Sequence, residues 1–196
     1  MKAGGFQVFA GLVDERFRRE LLAEALAQLP VANACQVLVG DSEEVRGGRP
    51  RRKFINGPGG PVQQAFYSSP WVIDFLRGLT HSKLTLTGGC GTYSYYVRPG
   101  DYLDIHRDIV ACDVAVISCL SEAPSAVGDG GRLCLYPERL FEPLSSIRAT
   151  PERGAVKVRL DPGQTIVLYG GIVPHALLKV AEGQARIVSV LCYRAL

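Results

Sequence analysis

The chain has 196 residues, 47% of them apolar and 21% charged, with a formal net charge of +3. These values describe one globular domain able to bury its own core; they exclude the basic balance of a nucleic-acid binder, the composition of a disordered chain and any apolar run of membrane-spanning length. Six cysteines with no C-x-x-C spacing read as reduced, mostly buried thiols of a cytoplasmic protein, and charge arrives too early, at Asp14 and Glu15, for a secretory leader.

Residues 1–12 read as a short strand with Phe6, Val8 and Leu12 on one face. A helix follows from Asp14, since Val13, Phe17, Leu21, Ala25 and Leu29 recur every four residues with Leu22 and Leu26 beside them. Arg16, Arg18, Arg19, Glu20 and Glu24 form its wet face, and Pro30 stops it. Residues 31–39 are apolar and extended. The segment 40–64 differs: Asp41-Ser42-Glu43-Glu44 is acidic, Arg46, Arg49, Arg51, Arg52 and Lys53 crowd together, and Asn56-Gly57-Pro58-Gly59-Gly60-Pro61 forms turns throughout. It reads as a long mobile segment. A solvated loop is the simplest account of the charge; the functional one is a lid closing over an anionic substrate. Ser69-Pro70-Trp71 then opens a second helix with Trp71, Val72, Phe75, Leu76 and Leu79 facing inward, ending by Thr80.

From residue 83 the hydrophobic period shortens to that of strands. Candidates are 83–87, 92–97, 102–107, 113–120, 132–136, 155–160, 165–169, 174–180 and 186–193, separated by Pro99-Gly100, Gly128-Asp129-Gly130-Gly131, Asp161-Pro162-Gly163, Gly170-Gly171 and Glu182-Gly183. Helices first and many short strands after predict a mainly β (α+β) fold, a sandwich or barrel. Residues 1–82 supply helical support and lid, and 83–196 the β core, within one domain.

His106 and Asp108, two apart on a predicted strand, point to one face and make two-thirds of a facial metal site. Alone the pair is equally a satisfied core histidine or a surface ion pair. A second histidine, His175, follows the apolar run 165–169 and a glycine turn. Eleven residues later Arg186 opens an apolar strand that contains no carboxylate. A buried guanidinium needs an anionic partner, which points to the carboxylate of a bound ligand.

With these residues in view, the segment 92–193 resembles the Fe(II)- and 2-oxoglutarate-dependent dioxygenases, in their prolyl-hydroxylase-like branch. The shared features are His106-x-Asp108, the distal His175, Arg186 beyond it, the lead-in Gly100-Asp101-Tyr102-Leu103, and Gly130-Gly131-Arg132-Leu133-Cys134-Leu135-Tyr136-Pro137. The resemblance implies a double-stranded β-helix (jelly roll) in which His106, Asp108 and His175 hold Fe(II). Arg186 would take the far carboxylate of 2-oxoglutarate. Tyr96, with Tyr93 and Tyr95 as competitors, stands near the family's co-substrate tyrosine. The family often has Arg-x-Ser or Arg-x-Thr on this strand; here Val188 follows Ile187 and Ser189 comes one place late.

The implied activity consumes O2 and 2-oxoglutarate, releases succinate and CO2 and hydroxylates an unactivated C–H bond. The carboxylate Asp108 separates it from halogenases, which have Gly or Ala there. Arg51, Arg52, Lys53 and Arg132 are candidate substrate contacts. Their charge favours an anionic small molecule, amino acid or peptide, or an acyl group on a carrier protein. Alternatives are a prolyl or other residue hydroxylase acting on a protein, and a non-catalytic jelly-roll module. Nucleic-acid repair relatives have a second arginine a few residues past the first; the next basic residue here is Arg194, and neither nucleic acid nor membrane is expected as a partner.

Overall fold

A computed structural model of the chain describes residues 4–37, 46, 49–87, 91–123 and 128–196. In chain order the elements are β1 (Phe6–Ala10), α1 (Glu15–Gln28), β2 (Asn33–Val37), β3 (Arg52–Pro58), α2 (Pro61–Tyr67), α3 (Pro70–Thr80), β4 (Leu84–Leu86), β5 (Thr92–Tyr96) and β6 (Tyr102–His106). They continue with β7 (Val114–Ala123), β8 (Leu133–Leu135), α4 (Leu144–Ala149), β9 (Val156–Val158), β10 (Gln164–Leu168), β11 (His175–Leu177) and β12 (Ala185–Ala195).

The strands form one curled antiparallel sheet in the order β1-β10-β7-β12-β5-β3-β6-β11-β8-β9, with β2 paired to β3 and β4 to β12. The bridge is β3. Its residues Ile55 to Pro58 pair with β5, while Arg52 and Lys53 pair with β6. One strand thus joins a long face to a short one, and the sheet folds over to enclose a cavity. This is the predicted mainly β jelly roll with supporting helices.

The helices cover the outer side of the long face. Leu21 and Ala25 of α1 and Val72 and Leu76 of α3 are fully buried against Tyr93, Tyr95, Val116, Leu191 and Tyr193. Alternation along each strand turns the remaining side chains inward. Ser94 and Tyr96 of β5 therefore face the cavity, while Tyr93 and Tyr95 donate hydrogen bonds to Glu24 and the Ala25 carbonyl of α1.

Several expectations change here. The segment 40–64 is not a single irregular stretch, since it contains β3 and opens α2; its acidic part, Asp41 to Glu44, lies outside the described residues. The half-polar sequence of β3 becomes a strand because neighbours on both edges pair with it. Glu24 does not belong to a wet face. Its carboxylate accepts the Val62 and Gln63 N–H groups at the start of α2, at 2.7 and 2.9 Å, as well as the Tyr93 hydroxyl. Gly60 permits this approach, since a Cβ there would stand 2.5 Å from the Glu24 carboxyl carbon. Leu26 and Trp71, expected inside, are 51% and 53% exposed. Finally, Cys112 and Cys192 are joined by a disulfide across 80 residues, so these two are not reduced thiols; Cys35, Cys119 and Cys134 are free.

Candidate metal centre

The turn before β6 is fixed by its own residues. Gly100 takes a left-handed φ of 81°, and the buried Asp101 carboxylate accepts the N–H groups of Val97 and Arg98 at 3.1 and 3.0 Å. Gly100 donates to the Val180 carbonyl and Val180 to that of Asp101, so the turn also fastens the chain just beyond β11. This register matters because His106 ends β6, His175 begins β11, and the two are direct partners across the pair. Their ring centroids are 4.3 Å apart.

Asp108 lies just past the end of β6 rather than on the strand. Its N–H donates to the Gly170 carbonyl at 2.7 Å. Gly170 has to lack a side chain, because a Cβ there would run into the Asp108 carboxylate. Arg46 pins the same loop from outside, donating to the carbonyls of Asp108 and Ile109 and pairing with Asp113 at 2.8 Å.

The two imidazoles have defined tautomers. Nδ1 of His106 is 2.8 Å from the Asp104 carbonyl, and Nδ1 of His175 is 2.9 Å from that of Val173. A carbonyl only accepts, so each Nδ1 carries the proton, and in the neutral ring Nε2 presents a lone pair. Both Nε2 atoms lie 3.6 Å from Asp108 Oδ1. Burial, with His106 beside it, pushes the His175 pKa down to about 4. Burial alone would raise Asp108, but the two histidines and Arg46 hold it below the ordinary carboxylate value. Three electron-pair donors thus converge within 4.8 Å of one another. Acceptors facing acceptors in a buried site repel unless a cation lies between them, and two imidazoles with one carboxylate suit a divalent transition metal. The residues fit the metal.

The same cavity, about 110 Å³, holds Arg186, Tyr96 and Ser94, with walls of Phe54, Leu103, Ile117, Leu133, Leu177 and Val188. Arg186 is 1% exposed; its Nη1 donates to the Gly131 carbonyl at 3.2 Å, while its buried Nε has no hydrogen-bond partner among the described residues. The glycine pair before β8 has two reasons: Gly131 sits at φ 69° with its carbonyl on Arg186, and a Cβ on Gly130 would stand 2.8 Å from Gln184 Oε1 and 3.0 Å from the Lys179 carbonyl. Burial lifts the Tyr96 hydroxyl well above the usual phenol range and keeps it neutral.

The other predicted contacts scatter. Arg51 pairs with Asp104 at 2.7 Å, and Lys53 reaches the Pro99 carbonyl. Arg132 pairs with Asp129 at 3.0 Å and does not line the cavity. Arg52 alternates onto the same side of β3 as cavity-lining Phe54, with a buried Nε that lacks a partner among the described residues. Sequence reasoning passed over Arg46, which looked like part of a solvated charge run, and Glu122, which lies beyond the expected end of its strand. Glu122 belongs to β7 and stands 3.8 Å from Arg186.

No protein-family model matches the sequence, and no curated protein matches it. Solved structures do. A prolyl-4-hydroxylase from Pseudomonas putida aligns at 20% identity with a TM-score of 0.62, over 97% of this chain and 92% of that one. The epimerase SnoN of nogalamycin biosynthesis, in complex with Fe3+, alpha-ketoglutarate and nogalamycin RO, gives 14% and 0.73 over 98% and 80%. HygX from Streptomyces hygroscopicus, with nickel, 2-oxoglutarate and hygromycin B bound, gives 13% and 0.64 over 98% and 83%. On topology and on these alignments, the chain has the jelly-roll fold of the 2-oxoglutarate- and Fe(II)-dependent oxygenases, in its prolyl-hydroxylase-like form.

Proposed function

We propose that the protein is an Fe(II)- and 2-oxoglutarate-dependent hydroxylase. The observation that carries this reading is the enclosure, in one cavity, of three converging metal donors and a buried arginine with an unsatisfied Nε. When bound together, iron and 2-oxoglutarate supply the oxidation by O2 that yields succinate, CO2 and a hydroxylated C–H bond.

The chain's own residues do the rest. His106, Asp108 and His175 would hold the metal, with both histidine tautomers set by backbone carbonyls. Arg186 takes the far carboxylate of the co-substrate, with the neutral Tyr96 hydroxyl as a further donor in the same cavity. The apolar walls exclude water. Asp108 as third ligand favours hydroxylation over halogenation.

For the substrate, we infer a small molecule or peptide bearing an anionic group, with Arg52 as its cation. The place of Arg52 on the same side of β3 as cavity-lining Phe54, and its buried Nε without a partner among the described residues, support this, whereas Arg51, Lys53 and Arg132 already have partners. Exposed Ile109 and Val110 beyond Asp108, and Ile172 ahead of His175, add an apolar border suited to the body of such a molecule. The neighbours in complex with nogalamycin RO and hygromycin B favour a small molecule. One with a hypoxia-inducible-factor peptide fragment keeps a residue hydroxylase acting on a protein as the second reading. No helix of the described residues is long and apolar enough to cross a membrane.

The test is an anaerobic titration with Fe(II) and then 2-oxoglutarate, watched for the visible charge-transfer band, followed by succinate release across a panel of small molecules and peptides. Absence of the band at saturating metal would refute the reading.

A further inference from the structure

Arg186 has a protein carboxylate beside it after all. Glu122 on β7 is its register partner across the β7–β12 pair. The two side chains are 3% and 1% exposed, yet they form only a loose ion pair: Nη1 to Oε1 is 3.8 Å, beyond hydrogen-bond range. Arg186 Nε and Glu122 Oε2 are both buried without a hydrogen-bond partner among the described residues. A second cation, Arg159, stands 3.6 Å from that Oε2 with its side chain 40% exposed.

The charge balance follows. Arg186 and Glu122 are the buried charges and balance each other, while the part-exposed Arg159 stands at the other oxygen of Glu122. A ligand carboxylate that takes Arg186 therefore leaves Glu122 with Arg159, so neither buried charge is left without a counter-ion. Glu122 lies on the side of a ligand's competitor, since it attracts the same guanidinium. Arg159 draws on Glu122 from its other oxygen and so weakens that competition.

We propose that Glu122 is a positioning residue that sets how strongly Arg186 holds a ligand carboxylate, with Arg159 moderating it. This rests on the assignment of Arg186 to the far carboxylate of 2-oxoglutarate. Its consequence is a pair of opposite effects. Glu122→Gln keeps the shape, removes the competing charge and should tighten 2-oxoglutarate by about tenfold. Arg159→Gln returns the whole of Glu122 to Arg186 and should weaken it by about threefold, a smaller effect because Arg159 is partly in solvent.

The experiment is calorimetric binding of 2-oxoglutarate to Mn(II)-loaded wild type, Glu122→Gln and Arg159→Gln. Pyruvate, an oxo acid lacking the far carboxylate, serves as control, and Mn(II) affinity is measured alongside. Tightening in the first variant and weakening in the second, with pyruvate and Mn(II) unmoved, supports the proposal. Unchanged or weaker 2-oxoglutarate binding by Glu122→Gln, or equal tightening of pyruvate, overturns it while leaving the function intact. A wild type that binds Mn(II) but no 2-oxoglutarate overturns both. If Glu122→Gln does not fold, Arg159→Gln decides: weakening supports the proposal, and no change or tightening overturns it.

Discussion

Gly170→Ala separates the metal site from the fold. Gly170 does not adopt a positive φ, so alanine fits its backbone and the strain to expect is the side-chain collision alone, with a stability cost of no more than about 1–3 kcal/mol. The added methyl would nevertheless collide with the Asp108 carboxylate. Even the carboxyl carbon would lie 2.8 Å away, against an ordinary contact of about 3.5 Å. The carboxylate has to retreat by roughly 0.7 Å or more, out of the convergence with the two Nε2 atoms. A displacement of that size should weaken the metal by on the order of 10- to 100-fold. The assay is Mn(II) or Ni(II) titration by calorimetry, beside thermal melts of the apoprotein. Wild-type metal affinity in Gly170→Ala would falsify the claim that Asp108, in this position, is a ligand; a collapsed melting temperature would show that Gly170 serves the fold instead.

His175→Ala or Asp108→Ala should abolish metal binding and 2-oxoglutarate decarboxylation together, as read by succinate release; near-normal turnover in either would discard the assignment. Arg186→Ala should raise the KM for 2-oxoglutarate far more than it changes metal affinity. Because His175 is buried neutral, its pKa falls from 6.5 in the unfolded chain to about 4. Below pH 6.5 the unfolded state binds more protons, so apoprotein stability is full above that value and declines toward pH 4, by on the order of 3 kcal/mol in all. Denaturant melts should show this slope, flattened in His175→Gln. The Cys112–Cys192 bond closes a loop of 80 residues, worth about 4 kcal/mol in chain entropy. Reductant or Cys192→Ser should then lower Tm by about 10 °C; an unmoved Tm would mean that the bond does not form in solution.

The strands from residue 83 onward were readable because each alternates or runs apolar between glycine and proline turns, and such patterns survive any packing. The helices at Glu15–Gln28 and Pro70–Thr80 were readable from their periods. What was misread shares one cause. In β3, Arg52 and Lys53 precede turn formers, and only partners on both edges make a strand of it. Glu24 looks solvated until α2 arrives to place two N–H groups on it. Trp71 and Leu26 fit a helical stripe, yet both stay about half exposed, and Trp71 packs edge-on against Phe66 of α2.

The sequence by itself determined the chemistry available: two histidines, an aspartate and an arginine in a jelly-roll order, because side-chain identity and strand period are local properties. The tertiary structure decided which atoms meet. It aligned His106 with His175 across two strands, made room for Asp108 at Gly170 and turned Tyr96 rather than Tyr93 or Tyr95 toward the cavity. It also set Glu122 against Arg186. These are pairings between residues far apart in the chain. They depend on strand register, which the sheet as a whole fixes and no single segment encodes.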